Sequence, residues 1–200
     1  MPKVYALNGI VPVVDPGAYV HPSAILIGDV IVGAGCYVAP CVSLRGDFGQ
    51  IRMAEGSNIQ DNCSAHCFAG GETVIGANAG IGHGAVLHGC IVEAGALIGM
   101  NSVVMDGAVI GETAIVAALS FVRAEFKVPA RTIVAGSPAK VLRAVTPQEI
   151  DWMAATMRDY HATRDRSQAG LTLVDALERP DADGRRLEVS GAVPLYQTRS

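Results

Sequence analysis

The sequence predicts a mainly β chain, wound as a parallel β-helix of very short strands and closed by one C-terminal α-helix. Three observations predict it. An aliphatic residue recurs at every sixth position, a period that belongs neither to an α-helix nor to a simple alternating strand. The composition holds 23 glycines but only 5% aromatics, so Val, Ile, Leu and Ala must fill the interior on a tightly turning backbone. A capping box then ends the repeat, and apolar residues at helical spacing follow it.

The first run of the repeat is Val14, Val20, Leu26, Val32, Val38 and Leu44. It resumes at Met53, Ile59 and Ala65, again at Ile75, Ile81 and Leu87, and then runs unbroken from Val92 through Ile98, Val104, Ile110, Val116, Val122 and Val128 to Val134. Each hexamer reads as a strand and a corner. Glycine follows the aliphatic at Gly28, Gly76, Gly82, Gly99 and Gly111, where the backbone is expected to bend sharply beside a buried side chain. Neighbouring coils would lie about 4.8 Å apart, with each aliphatic stacked on its equivalents. Three breaks interrupt the period: Arg45-Gly46-Asp47, the stretch from Phe68 to Val74 with Gly70-Gly71, and a hexamer one residue short after Leu87. Insertions in a solenoid are expected to form surface loops, where function concentrates.

The repeat ends at Val134-Ala135-Gly136-Ser137-Pro138-Ala139-Lys140, and Thr146-Pro147-Gln148-Glu149 starts a helix. Ile150, Met153, Met157 and Tyr160 give that helix an apolar stripe, expected to pack on the solenoid and cover its open end. The division is therefore 1–142 for a β-helix carrying the site, 146–165 for the helix, and 166–200 for a polar tail that is loose or wraps the domain.

A net charge of −4 with 17% charged residues supplies no basic stripe for a nucleic acid backbone. The N-terminal stretch lacks the apolar core of a signal peptide, and no window is long enough to cross a bilayer, so a cytoplasmic protein is expected. Cys36, Cys41, Cys63, Cys67 and Cys90 are an odd set without secreted spacing and are expected to be free thiols. Cys63 and Cys67 flank His66, but a lone C-x3-C is a weak metal signal.

His66, His83 and His88 fall within 23 residues around the second break. Counting hexamers puts His66 and His88 at the same slot of one face, one coil apart, where two imidazoles can converge on one divalent ion. His83 takes a different slot of a different face. A neighbouring subunit resolves this: three-fold packing would bring it against the other two in a homotrimer and leave a fourth position for water, whose pKa the metal lowers. His21 and His161 have no such companions and read as structural.

The repeat resembles the bacterial hexapeptide-repeat family, whose chains wind as left-handed β-helices with three hexamers per coil. Arg45-Gly46-Asp47, Asn58-Ile59-Gln60-Asp61, His66, Gly82-His83 and His88-Gly89-Cys90, in that order, resemble the motifs of the γ-class carbonic anhydrases within it. That resemblance implies zinc, iron or cobalt held by His66 and His88 of one subunit and His83 of the next. It also implies that Gln60 orients the metal-bound water, while Arg45, Asp47 and Asp61 tie subunits together near the metal; an interface ion pair without chemistry accounts for most of the role of Arg45 and Asp47. The chain departs from the acidic proton-shuttling loop of these anhydrases, with Phe48-Gly49 after the first motif and Glu72 as the only acid of the second loop.

Over nearly the whole chain, including Gly99 to Glu112 and Gly136-Ser137-Pro138-Ala139-Lys140, the sequence is similar to the PaaY family of phenylacetic acid degradation proteins, with the carnitine-operon CaiE family a near relative. The PaaY likeness implies a metal-dependent acyl-CoA thioesterase acting on dead-end thioesters of aerobic phenylacetate degradation. Trp152 and Tyr160 occupy that family's positions; Tyr160 either donates a hydrogen bond over a neighbour's metal or packs. Arg123, Lys127, Arg131, Lys140 and Arg143 either hold CoA phosphates or are scattered solvated charges. The alternatives are CO2 hydration and a non-catalytic accessory trimer, as in carnitine metabolism. CoA-dependent acyl transfer on the same fold needs only one histidine, and the three-histidine pattern argues against it.

Overall fold

A computed structural model describes residues 2–180, 184, 186–187, 189 and 191–197. It is a parallel β-helix of the left-handed hexapeptide type with one C-terminal helix. The six-residue period resolves into three faces, because every third hexamer returns to the same face one coil on. Leu26, Leu44, Ala65, Leu87, Val104 and Val122 pair in register along the first face. Val14, Val32, Met53, Ile75, Val92, Ile110 and Val128 do so along the second. Val20, Val38, Ile59, Ile81, Ile98, Val116 and Val134 line the third. All but the first members, Val14 and Val20, are buried. The core is therefore three aliphatic columns, in which each side chain stacks on chemically equivalent neighbours.

The glycines after the aliphatics turn out to have two reasons to be there. Gly28 has φ +68°, as a sharp bend requires. Gly76, Gly82, Gly99 and Gly111 are not in the left-handed region; a Cβ at Gly82 would come within 2.8 Å of the Ile98 carbonyl oxygen, and one at Gly99 within 2.7 Å of the Val116 carbonyl oxygen. These positions are small because the next coil's backbone passes over them. Many bends fall instead to residues such as Asn62, Asn78 and Asn101, all with positive φ.

One expectation about the breaks needs correction. Arg45-Gly46-Asp47 is no loop: it lies inside a continuous strand, Ser43–Met53, that pairs with Ile25–Val32 and carries both across a corner, with a register shift between Gly28 and Val30. Pairing across the corner satisfies the extra backbone groups that a loop would leave to water. The parallel winding ends at Val134, where the repeat ends, and Ala139–Ala144 then folds back antiparallel on Thr132–Gly136.

Helix α1 runs over Pro147–Gly170, five residues past the expected end. Thr146 Oγ1 accepts from the Glu149 amide, and the Thr146 amide donates to Glu149 Oε2, closing the capping box. Rather than capping the open end, α1 lies along the third face and runs back toward the first coils. Met153 packs with Ile115, Ile133 and Val145 near its start, Tyr160 approaches Tyr37 with ring centroids 6.0 Å apart, and Arg164 donates to the Gly35 carbonyl at 2.9 Å. The described part of the tail returns along the helix: Trp152 Nε1 donates to the Val193 carbonyl, and the Ala192 amide to Asp159. Residues 181–183, 185, 188, 190 and 198–200 of the predicted tail lie outside the described residues. No helix of the described residues is long and apolar enough to cross a membrane.

Candidate metal centre

His66 ends the strand Ser64–His66 and His88 ends Val86–His88, and the two residues pair directly across neighbouring coils. Equal position on adjacent strands points both imidazoles the same way, and His66 Nδ1 lies 3.2 Å from His88 Nε2. Each ring is held from behind by a carboxylate. Asp47 Oδ1 is 2.8 Å from His66 Nε2, and Asp106 Oδ1 is 2.7 Å from His88 Nδ1. Arg45 in turn donates to Asp47 at 2.6 Å. Desolvation opposes the charge of Asp47, but the hydrogen bonds from Arg45 and His66 outweigh it and hold the carboxyl below the usual carboxylate range.

The short hexamer after Leu87 and the Gly-rich second break are locked to each other behind the histidines. Thr73 Oγ1 donates to the His66 carbonyl at 2.6 Å and accepts from the Gly89 amide at 2.9 Å. Phe48 and Phe68, both exposed, stand over the pair, with ring centroids 5.3 Å from His66 and 4.8 Å from His88.

Two nitrogens about 2.0–2.1 Å from one tetrahedral ion are separated by about 3.3–3.4 Å. The observed 3.2 Å, with both outer nitrogens occupied by carboxylates, therefore fits two ligands of a divalent ion with their supporting partners in place. Among the described residues no group of three or more His, Cys, Asp or Glu side chains is placed to hold a metal within one chain. The nearby thiols do not add to it. Burial raises the Cys63 thiol to about 11 and its Sγ donates to the Gly82 carbonyl; Cys67 is also raised by burial and donates to the Gly71 carbonyl.

The remaining candidates lie on the third face. His83 follows the strand Gly80–Ile81, is half exposed, and holds Asp61 Oδ2 at 2.9 Å through Nδ1, which leaves Nε2 for another partner. Gln60 is buried, its amide donating to Asn58 Oδ1 at 3.1 Å. Tyr160 is partly buried against Tyr37, and desolvation, with smaller contributions from Asp61 and Tyr37, pushes its phenol up to about 12, so it stays a hydrogen-bond donor at neutral pH. One chain thus carries two separate clusters: Arg45, Asp47, His66, His88 and Asp106 in one, and Gln60, Asp61, His83 and Tyr160 in the other.

His21 and His161 bond to Ser23 Oγ and to the Gly56 carbonyl, as structural residues do. The five basic residues are dispersed. Arg143 is a bidentate partner of Glu149, Lys127 donates to the Gly107 carbonyl, Arg131 caps a corner with positive φ, and only Arg123 and Lys140 share a small hollow beside Phe126. Asp106 and Thr73 escaped the sequence reading. Asp106 lies 18 residues after His88, one position past the coil-to-coil register set by the shortened hexamer, and Thr73 lies inside a break, so the six-residue period marks neither.

Compared with known proteins, the chain is 51% identical over 184 residues to the carnitine operon protein CaiE of Salmonella agona, covering 92% of this chain and 93% of the relative. CaiE of Escherichia coli K12 is 48% identical over 184 residues, covering 92% and 94%. This chain belongs to the CaiE family. No protein-family model matches it. Among solved structures, a hexapeptide transferase family protein from Anaplasma phagocytophilum superposes on this CaiE-family chain with a TM-score of 0.79 at 37% identity, over 82% of this chain and 96% of that one. A Bacillus cereus protein assigned to the acetyltransferases superposes with a TM-score of 0.83 at 29% identity, over 84% and 98%. The family shown is the one the sequence placed as a near relative, within the hexapeptide-repeat proteins.

Proposed function

We propose that this chain serves carnitine metabolism as a metal-binding accessory protein whose metal centre closes between copies of the chain. The observation that carries the reading is the His66–His88 pair at 3.2 Å, each ring backed by its own carboxylate, on a chain similar to carnitine operon proteins. His66 and His88 of one copy and His83 of another would hold a divalent ion such as zinc, iron or cobalt in a homotrimer. Asp47, Asp106 and Asp61 each occupy one nitrogen of a histidine and so fix which nitrogen faces the ion.

A second reading is metal-dependent hydrolysis of an acyl-CoA thioester, phenylacetate-derived ones included. It is favoured by Gln60, His83 and Tyr160 lining one cleft, since a hydrolytic centre needs an orienting amide and a neutral donor beside its metal ligand. A bound ion would supply the Lewis acidity that polarises a carbonyl or activates water. CO2 hydration has less support: Glu72, the one acid of the second loop, pairs with Gln50 along the strand register and makes no hydrogen bond to either histidine.

One preparation tests both. The anaerobically purified protein is assayed for bound metal, for mass in solution, and for thiol release from a panel of acyl-CoAs, beside His83→Ala. Metal at one per subunit that is lost in the variant, a trimeric mass and no thiol release match the accessory reading. Thiol release that scales with metal moves the hydrolytic reading to the front. A monomer that binds no metal overturns both.

A further inference from the structure

Between helix α1 and the third face lies a cleft of about 670 Å³, within the range of small-molecule sites. Trp152 forms part of its wall and packs on the apolar cluster of Ile115, Ile133, Val145 and Met153. The polar edge of the indole needs a partner, and the C-terminal segment supplies it: Nε1 donates to the Val193 carbonyl at 2.9 Å. Asp159, about two turns further along α1, accepts from the Ala192 amide through Oδ2 at 2.7 Å. The segment therefore runs antiparallel to the helix, from Asp159 toward Trp152, and continues into the 3-10 turn Leu195–Gln197. Its first residue is glycine for a reason. A Cβ at Gly191 would come within 3.1 Å of Asp159 Oδ2, so the missing side chain lets the backbone lie against the carboxylate. Earlier in the tail Leu173, Val174 and Leu177 are exposed, so those side chains leave α1 unpacked before the chain is fastened beside the same helix again. Among the described residues, none of 191–197 lines the cleft itself.

We infer that residues 191–197 are a brace for the cleft: docked on Asp159 and Trp152 they hold the indole in the wall, and undocking frees it. The segment is a brace and not a plug, because the cleft is open while the segment is docked. Once undocked, the indole N–H has to find water, which turns the polar edge of the ring toward solvent and takes the ring out of the wall. Docking and occupancy of the cleft are then coupled through one side chain. A ligand that packs on the indole favours the docked segment, and the docked segment favours that ligand by the same factor. Holding the wall in place beforehand also spares the ligand the cost of ordering it. The device uses none of the groups assigned to the metal centre, so it stands whether or not a metal binds.

Trp152 is the sole tryptophan of the chain, so its fluorescence reports the wall without labelling. In full-length protein, Trp152 emission and its quenching by acrylamide are followed together with hydrogen exchange at the Ala192 amide. Gly191→Val and Asp159→Ala should each shift the emission to the red, raise the quenching constant severalfold and remove the protection of Ala192. Asp159→Asn keeps a carbonyl oxygen for the amide and should behave much as the wild type does, which separates an acceptor from a charge. The neutral apolar probe 1-octanol tests the coupling. It should slow exchange at Ala192 in the wild type and bind several-fold more weakly to Gly191→Val and Asp159→Ala. Tighter octanol binding in those two variants would make the segment a plug and overturn the inference. So would Trp152 emission unchanged in both, or exchange at Ala192 that octanol leaves unaltered in the wild type.

Discussion

At the scale of single residues, the histidine pair is held by carboxylates standing behind it. Asp106 is the clearest case, since it is bonded to His88 Nδ1 at 2.7 Å and has no other evident task in the fold. Asp106→Asn should therefore weaken divalent-metal affinity by about 10–100-fold with little change in thermal stability, measured by competitive metal titration and thermal unfolding. Asp47→Asn should do the same and also release Arg45, so its effect should be the larger. A glycine carries a different constraint. A Cβ at Gly46 would collide with the Asp29 carbonyl oxygen across the paired strands, and both partners are backbone. Gly46→Ala should lower the melting temperature, whereas Gly70→Ala, with open space around its Cβ, should be governed only by its φ of +73°.

At the scale of elements, helix α1 is fastened at its start by a buried carboxylate. Glu149 closes the capping box with Thr146 and takes both guanidinium nitrogens of Arg143 at 2.7 and 2.8 Å. Arg143 foremost, against an opposing desolvation and helped by Thr146, lowers the Glu149 pKa from an ordinary 4.5 to about 2. The folded pKa is depressed, so the stabilisation is complete above the unfolded value and is lost as pH falls from about 4.5 through about 2. Wild-type protein should lose stability across that window by more than Glu149→Gln does, as followed by the pH dependence of the melting temperature. Thr146→Ala removes one cap acceptor and should cost about 1 kcal/mol. The capping box was legible in four consecutive residues because its partners are local. That α1 lies along the third face was not, because the stripe of Ile150, Met153, Met157 and Tyr160 says that a face is buried but not against what.

At the scale of the whole molecule, three stacked columns make the core nearly one-dimensional, so damage to one layer is felt mainly by its neighbours. Ile81 is fully buried between Ile59 and Ile98 on the face that carries His83 and Gln60. Ile81→Ala should cost about 2–5 kcal/mol by chemical denaturation and should loosen the cluster around His83 more than the His66–His88 pair. The proposed division of the metal centre between two copies of the chain predicts a complementation result. Mixing His66→Ala chains with His83→Ala chains under conditions that permit subunit exchange should restore a fraction of metal binding that neither variant shows alone, because mixed assemblies contain intact interfaces.

The sequence by itself determined the winding, the three columns and the register of His66 on His88, since a strict period leaves each residue one slot and stacking makes slots equivalent. It also determined where the helix begins. Only the tertiary structure decided that Arg45-Gly46-Asp47 belongs to a continuous strand, because whether extra residues loop out or pair depends on a partner strand twenty residues away. Only it placed Asp106 and Thr73 behind the histidines and opened the cleft along α1, because these are contacts between coils and between helix and face, which no local spacing encodes.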